Sequence, residues 1–230
     1  MSAPVSLSLP RQQVSLRERV VEVIRNNILY GTFEPGQKLV ERDLCESLDV
    51  SRALLREALQ ALQAEGLITN VVHKGPYVSV ISRDEAQDIY QARLALEQAA
   101  AYDFALNATD EQIEQLAATV AELHTCGEGS DPHELLRIKN DFYACLLEGC
   151  GNRVFGQLLT LLNNRTTLLR RISLSQPGRL AGTLAELDAI VEAVRARNAE
   201  EASRLTGVHV SNAAALVLAG FDAKEERKGS

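Results

Sequence analysis

The stretch Leu39–Leu59, LVERDLCESLDVSRALLREAL, decides how the chain folds. Asp49-Val50 separates two helical patterns. The first runs Glu41–Leu48. The second starts after Ser51, a side chain suited to capping a helix N-terminus, and runs to about Glu65 before Gly66 closes it. Leu55, Ala58, Leu59 and Leu62 recur at three- and four-residue spacing and form one apolar face. Arg52 and Arg56, one turn apart, share the opposite face. Downstream, Leu67–Thr69 and Tyr77–Ile81 read as short strands joined by Val71-Val72-His73-Lys74-Gly75-Pro76. Upstream, Leu16–Leu29 sets Val20, Ile24 and Ile28 four apart, an amphipathic helix that ends at Tyr30-Gly31 before a Pro35-Gly36 turn. Three helices followed by a β-hairpin predict a winged helix-turn-helix over residues 12–81.

Beyond Ser82 the pattern is helical throughout. Ser82 and Asp84 open a helix to about Asn107, Thr109 caps another to about Cys126, and Asp131-Pro132 starts a third to about Cys150. Asn152 starts a fourth to about Gln176, Pro177-Gly178 breaks it, and two more run from about Gly178 to Arg197 and from Glu200 to Gly220. Short connections predict antiparallel neighbours, hence an all-α helical bundle over residues 82–222 and a mainly α chain overall. Met1–Pro10 and the terminal KEERKGS read as a loose and a frayed tail.

A hydrophobic content of 46% with 24% charged residues is that of a globular chain. No run approaches the ~18 apolar residues of a membrane span, and a cytoplasmic protein is expected. Cys45, Cys126, Cys145 and Cys150 lack zinc-site spacing and read as reduced core residues. Of 24 basic and 31 acidic residues, nine of each precede Ile81, so the whole net charge of −7 belongs to the second part. A neutral head on an acidic body must attract phosphate through a few well-placed arginines. There is no P-loop, G-x-S-x-G or H-E-x-x-H, and His73, His124, His133 and His209 are scattered.

The run from Pro35 to Val80 resembles the GntR family of regulators. The matching pieces are Gly31, Pro35-Gly36, Leu39-Val40-Glu41-Arg42-Asp43-Leu44, Leu48-x-Val50-Ser51-Arg52-x-x-Leu55-Arg56-Glu57-Ala58-Leu59, Leu62, Glu65-Gly66-Leu67-Ile68 and Gly75-x-x-Val78. On the residues themselves, Ser51 can cap the recognition helix and leave N–H groups for a phosphate. Arg52 and Arg56 can each bond guanine O6 and N7 bidentately. The resemblance implies that Arg42 also reaches DNA and that Lys74-Gly75 enters the minor groove. Ala53-Leu54 stand where relatives often carry Thr or Pro, so no contact is expected from them.

The second part resembles the FCD ligand-binding domain of the FadR-type branch. The resemblance rests on Arg93-x-x-Leu96-Glu97-x-x-Ala100, on Asp141-Phe142-Tyr143 with Gly151-Asn152, and on Glu186, Ala193, Ala202 and His209. Many such domains hold a divalent metal. Aligned on Phe142 and Glu186, this chain has Lys139 for the ligand Asp, Tyr143 for the first His and Leu187 for the second; only His209 matches. Asp141 is the alternative register, with Cys145 as an odd partner. Lys139 would bring a positive charge into the site and Leu187 offers no lone pair, so no metal and no cofactor are expected.

If Lys139, Tyr143, Arg93 and His209 converge as the family's inward positions do, with Arg165 from the next helix, the cavity suits a carboxylate or phosphate. Against this, Arg93 can simply pair with Glu97, Tyr143 can be core, and His209 can be a satisfied buried histidine. The expected function is a homodimeric, sequence-specific DNA-binding repressor of a short palindromic operator, modulated by a small anionic metabolite. The alternatives are a helical-bundle enzyme with an accessory DNA-binding head, and a regulator whose bundle serves only dimerisation.

Overall fold

The computed structural model describes residues 15–127, 129–174 and 178–229, and divides into two compact units at Ser79/Val80. The expected loose tail Met1–Pro10 and the breaking Pro177 lie outside the described residues.

The first unit has the order α1 (Leu16–Leu29), α2 (Glu41–Leu48), α3 (Arg52–Ala64), β1 (Ile68–Val71) and β2 (Gly75–Val78). Ser15 and Glu18 form a reciprocal capping box on α1. Asp49 ends α2 in the left-handed region, φ 50°, which throws the chain round so that Ser51 can cap α3. Val20, Ile24 and Ile28 of α1 share the core with Leu55, Ala58, Leu59 and Leu62 of α3. Arg25 clamps the far end through a bidentate pair with Glu65, at 2.9 and 2.6 Å.

The hairpin departs from its expected limits. Each strand runs two residues past its expected inner end, and Val71 pairs with Gly75, so the loop is only Val72-His73-Lys74. His73 with φ 62° and Gly75 with φ 90° turn the chain within that space, and Gly75 does so without Cβ strain. The strand expected to run to Ile81 ends at Val78. On the other edge of β2, Lys38 bridges Tyr77, and Gly36 and Leu39 donate their N–H groups to the Val78 and Pro76 carbonyls.

The second unit is α4 (Arg83–Asn107), α5 (Asp110–His124), α6 (Pro132–Gly149), α7 (Arg153–Leu174), α8 (Arg179–Arg195) and α9 (Ala199–Gly229). Ser82, Thr109 and Asp131 cap α4, α5 and α6 with their side chains. Gly178 turns into α8 with φ 72°. The expected frayed tail is corrected, since α9 continues to Gly229. Arg83 and Asp222 pair at 2.5 Å and tie the end of α9 to the start of α4. α4 and α9 pack along their lengths through small residues, Ala100, Ala101 and Ala202 among them, and Gly207 lets Gln98 lie against its backbone. Leu116, Val120, Phe142, Leu146 and Leu187 fill the main core.

α6 ends against α4 at Gly149, where a Cβ would stand 2.7 Å from Phe104 Cδ2. Gly149→Ala should therefore lower stability by about 1–3 kcal/mol through overpacking. Gly156→Ala, with nothing within 4 Å of the new methyl, should raise it by about 0.5–1 kcal/mol through helix propensity. Urea unfolding of the two variants checks both signs.

Candidate functional site

In the first unit the residues expected to meet DNA are outward and polar. Ser51 Oγ accepts from Leu54 N at 3.3 Å, so the start of α3 is fixed by its cap. Arg52 is the first residue of α3, and Arg56 follows one turn later with 65% of its side chain exposed. Arg56 Nε donates to Glu41 at 3.0 Å, and Arg42 Nε donates to Asp43 at 3.2 Å. Exposed pairs of this kind contribute about 0–1 kcal/mol and are easily exchanged for a base or phosphate. Lys74 and Gly75 sit at the turn of the hairpin, Lys74 exposed. Arg56, Gln60 and Gln63 wall one side of a groove whose other side is the hairpin from Asn70 to Gly75. Gln60 and Gln63 were missed by the sequence reading, although their spacing from Arg56 already put them on one face. Val72, 77% exposed at the hairpin tip, was missed too, because an apolar residue inside a short loop carries no pattern.

In the second unit α4, α6, α7, α8 and α9 bring basic side chains round one small cavity. Arg93, Lys139, Tyr143 and His209 line it as expected. Arg165 does not: its guanidinium pairs with Glu85 at 2.9 Å and is 38% exposed. Arg170 lines the cavity instead, five residues and roughly 140° further round α7. Arg179, Ser173 and Thr183 complete the wall and were not foreseen. For Arg179 the signal existed, since Glu186 lies two turns along the same helix and the two side chains pair.

Arg93 and Glu97 form the pair that the sequence allowed, Nε to Oε1 at 2.7 Å, with side chains 1% and 2% exposed. Burial opposes both charges, but Glu97 holds the guanidinium above its ordinary range and Arg93 holds the carboxyl below its own. Arg93 Nη2 also donates to Tyr143 OH at 3.2 Å. Burial, then Glu97, pushes the Tyr143 phenol up to about 12. Three basic side chains lie over the Tyr143 ring: Arg170 at 3.9 Å, Lys139 at 5.2 Å and Arg93 at 5.7 Å from its centroid. Arg170 Nη1 donates to Asn140 at 2.6 Å.

The opposite wall is built on Glu186. Arg179 grips it bidentately at 2.8 and 2.7 Å, Asn212 donates at 2.7 Å, and His209 Nδ1 donates at 2.5 Å. Burial works against this carboxylate, yet its donors hold it down to about 2. Because Nδ1 carries the proton shared with Glu186, Nε2 of His209 is the lone-pair nitrogen, and Lys139 Nζ lies 3.0 Å from it. Burial and the Lys139 amine push His209 down to about 3. Burial, Arg170 and Arg93 push the Lys139 amine well below the ordinary lysine range.

These residues do not fit a divalent cation. The Nε2 lone pair that a metal would need already faces the Lys139 amine. Leu187 is a core residue, 1% exposed. Asp141, the alternative register, is half exposed and pairs with Arg137 at 2.9 Å. Among the described residues no three His, Cys, Asp or Glu side chains are grouped to hold a metal. His124 bonds Asp188 at 3.0 Å, half exposed, far along the sequence from the cavity residues of α4 and α9.

The cavity makes the fold acid-sensitive. His209 is neutral when folded and binds a proton near pH 6.5 when unfolded, so below that pH the unfolded chain holds more protons. Glu186 has a folded pKa below its unfolded value and acts in the same direction at lower pH. Stability should therefore fall as pH drops from 6.5 towards about 3, and His209→Gln should flatten the upper part of that decline. Urea unfolding across this range, followed by helix content, checks the sign.

Comparison with known proteins agrees with both halves. Residues 16–78 match the bacterial regulatory proteins of the gntR family, and residues 88–212 match the FCD domain. The chain is 30% identical over 197 residues to the HTH-type transcriptional repressor GlaR of Escherichia coli, covering 81% of this chain and 89% of the relative. It is 29% identical to the HTH-type transcriptional repressor NanR of Klebsiella aerogenes, covering 95% and 92%. The crystal structure of a GntR transcriptional regulator from Rhodococcus sp. RHA1 is similar with a TM-score of 0.77 and 25% identity, covering 88% of this chain and 97% of that one. No helix among the described residues is long and apolar enough to cross a membrane. The chain belongs to the GntR family of DNA-binding transcription regulators, in the branch whose C-terminal domain is an FCD domain.

Proposed function

We propose that this regulator binds a short palindromic operator as a homodimer and releases or grips it according to whether the FCD cavity holds a small anion. Arg52 and Arg56 read guanines, Arg42 and Lys74 contact the backbone and minor groove with Gly75, and Ser51 sets the register of α3. The observation that carries the anion is a pair of buried donors. Arg93 Nη1 and Arg179 Nε, on side chains 1% and 7% exposed, have no acceptor among the described residues. Buried donors of this kind are expensive to leave unmade, and a carboxylate or phosphate would satisfy both. Among the described residues four basic side chains, Arg93, Lys139, Arg170 and Arg179, surround two carboxylates, Glu97 and Glu186.

A bundle serving only dimerisation would fill its centre with aliphatic side chains, and this one is lined by guanidiniums. As it stands the cavity measures about 20 Å³, room for about one water, so an effector enters by parting the side chains round it. It regulates by being bound more tightly in one state of the dimer than in the other. Family membership and the cavity's charge favour a sensor over an enzyme, and we infer a cytoplasmic repressor.

Arg52→Ala or Arg56→Ala should cost about 1–3 kcal/mol of discrimination at a guanine-bearing position while leaving the protein folded. Lys74→Ala should weaken all sequences alike and flatten the salt dependence. Binding to randomised operators measures both; unchanged base preference would remove α3 from the major groove. A thermal-shift series with oxalate, acetate and neutral acetamide tests the cavity. The acids should raise the melting temperature and acetamide should not, and Arg93→Met should abolish the difference. Light scattering of the protein–operator complex should show two chains per site, and one chain per site would overturn the dimer.

A further inference from the structure

The cavity contains an arrangement that anion binding alone does not use. Glu186, His209 and Lys139 form a continuous chain of hydrogen bonds, 2.5 Å from carboxylate to imidazole and 3.0 Å from imidazole to amine. The three groups come from α8, α9 and α6, so the chain is assembled by the fold and not by local sequence. The imidazole is oriented by its carboxylate and turns its free lone pair on the amine, which is the way a base is set against a nucleophile. Lys139 is 3% exposed, lies among Arg93, Arg170 and Arg179, and has neither carboxylate as a direct hydrogen-bond partner among the described residues. A buried amine beside other cations loses its proton readily, and the direction of its shift agrees.

We propose that Lys139 is a nucleophile that captures its effector reversibly as an imine, the effector being a small acid with an aldehyde or ketone group beside its carboxylate. The proposal rests on the anion-binding reading of the cavity, because Arg93 Nη1 and Arg179 Nε are the donors that would hold the carboxylate. The Lys139 Nζ lone pair attacks the carbonyl carbon, a C–N bond forms, and the carbonyl π pair moves to oxygen. His209 Nε2 takes the proton leaving nitrogen and returns it to that oxygen, giving a carbinolamine. The nitrogen lone pair then expels the hydroxyl. It leaves as water with the remaining N–H proton, again passed through His209. One amine and one carbonyl give one imine and one water, with no oxidant or reductant, and water returning to the site reverses the capture. A simple acid lacking the carbonyl binds the same arginines without the bond, so the site distinguishes an oxo acid from other acids of its size.

The test uses the full chain, sodium glyoxylate as the probe and sodium cyanoborohydride to fix any imine, followed by peptide mass mapping. Lys139 should gain one carboxymethyl group about tenfold or more faster than Lys38, Lys74, Lys224 or Lys228. Oxalate should protect it, and unfolding the protein in urea should erase the preference. His209→Gln should slow the labelling of Lys139 by about a hundredfold relative to the other lysines, as loss of a positioned proton acceptor does. Should that variant fail to fold, the preference and its protection by oxalate in the unaltered protein still decide. Labelling of Lys139 no faster than that of the other lysines overturns the imine. The melting temperature with oxalate, measured on the same sample, separates the two readings. A rise with oxalate but no preferred label removes the imine alone, and neither effect removes the anion with it.

Discussion

The centre of the helical domain holds charges away from water, and the arrangement around them follows from the cost of doing so. Arg93 and Glu97 are almost completely covered, and an isolated charge in such a place would cost several kcal/mol. Each is made tolerable by the other, one turn along α4, and by Tyr143, which offers both a hydroxyl and a ring face. Glu186 plays the same part on the other side, with Arg179, His209 and Asn212 as its donors. The long apolar faces of α4, α6 and α9 bring these polar residues together, and the polar residues in turn fix how those faces register. Removing one member would leave another charged and unpaired, which is why the network behaves as a unit.

Lys139 has no carboxylate as a hydrogen-bond partner among the described residues. In this cavity an amine faces the imidazole, and the surrounding guanidiniums outnumber the two carboxylates. On the proposed reading, a ligand that suits it brings negative charge.

The winged head obeys the opposite rule. Its arginines are exposed and held by neighbouring acids in weak pairs, Arg56 by Glu41 and Arg42 by Asp43. Such pairs orient a side chain without committing it, and they dissolve when a phosphate or guanine offers a better partner. What the head needs to hold rigidly is backbone: the left-handed Asp49, the Ser51 cap and the Gly75 turn. The exposed basic side chains of the head and the buried ones of the bundle are thus the same residue types, separated by burial.

Much of this was written in local sequence. Helix limits were legible because Ser51, Ser82, Thr109 and Asp131 cap within three residues of themselves, and an apolar face needs only its own spacing to be recognised. The hairpin was less legible, since the strand ends depend on pairing across the turn, and a left-handed His73 allowed a shorter loop than the composition suggested. Arg93, Lys139, Tyr143 and His209 could be named because the resemblance to the FCD domain marks those positions as inward. The choice of Arg170 over Arg165 could not, since both lie on α7 and only the rotation of that helix against α6 and α9 decides which one is buried. The bond from Lys139 to His209 spans 70 residues, and the bond from His209 to Glu186 spans 23. Spacing along one helix fixes which side chains share a face, but contacts between helices depend on how each is turned and how closely it packs. The sequence by itself therefore determined the helices and the presence of the hairpin, because caps and apolar spacing are local; only the tertiary structure decided which charges meet inside the bundle.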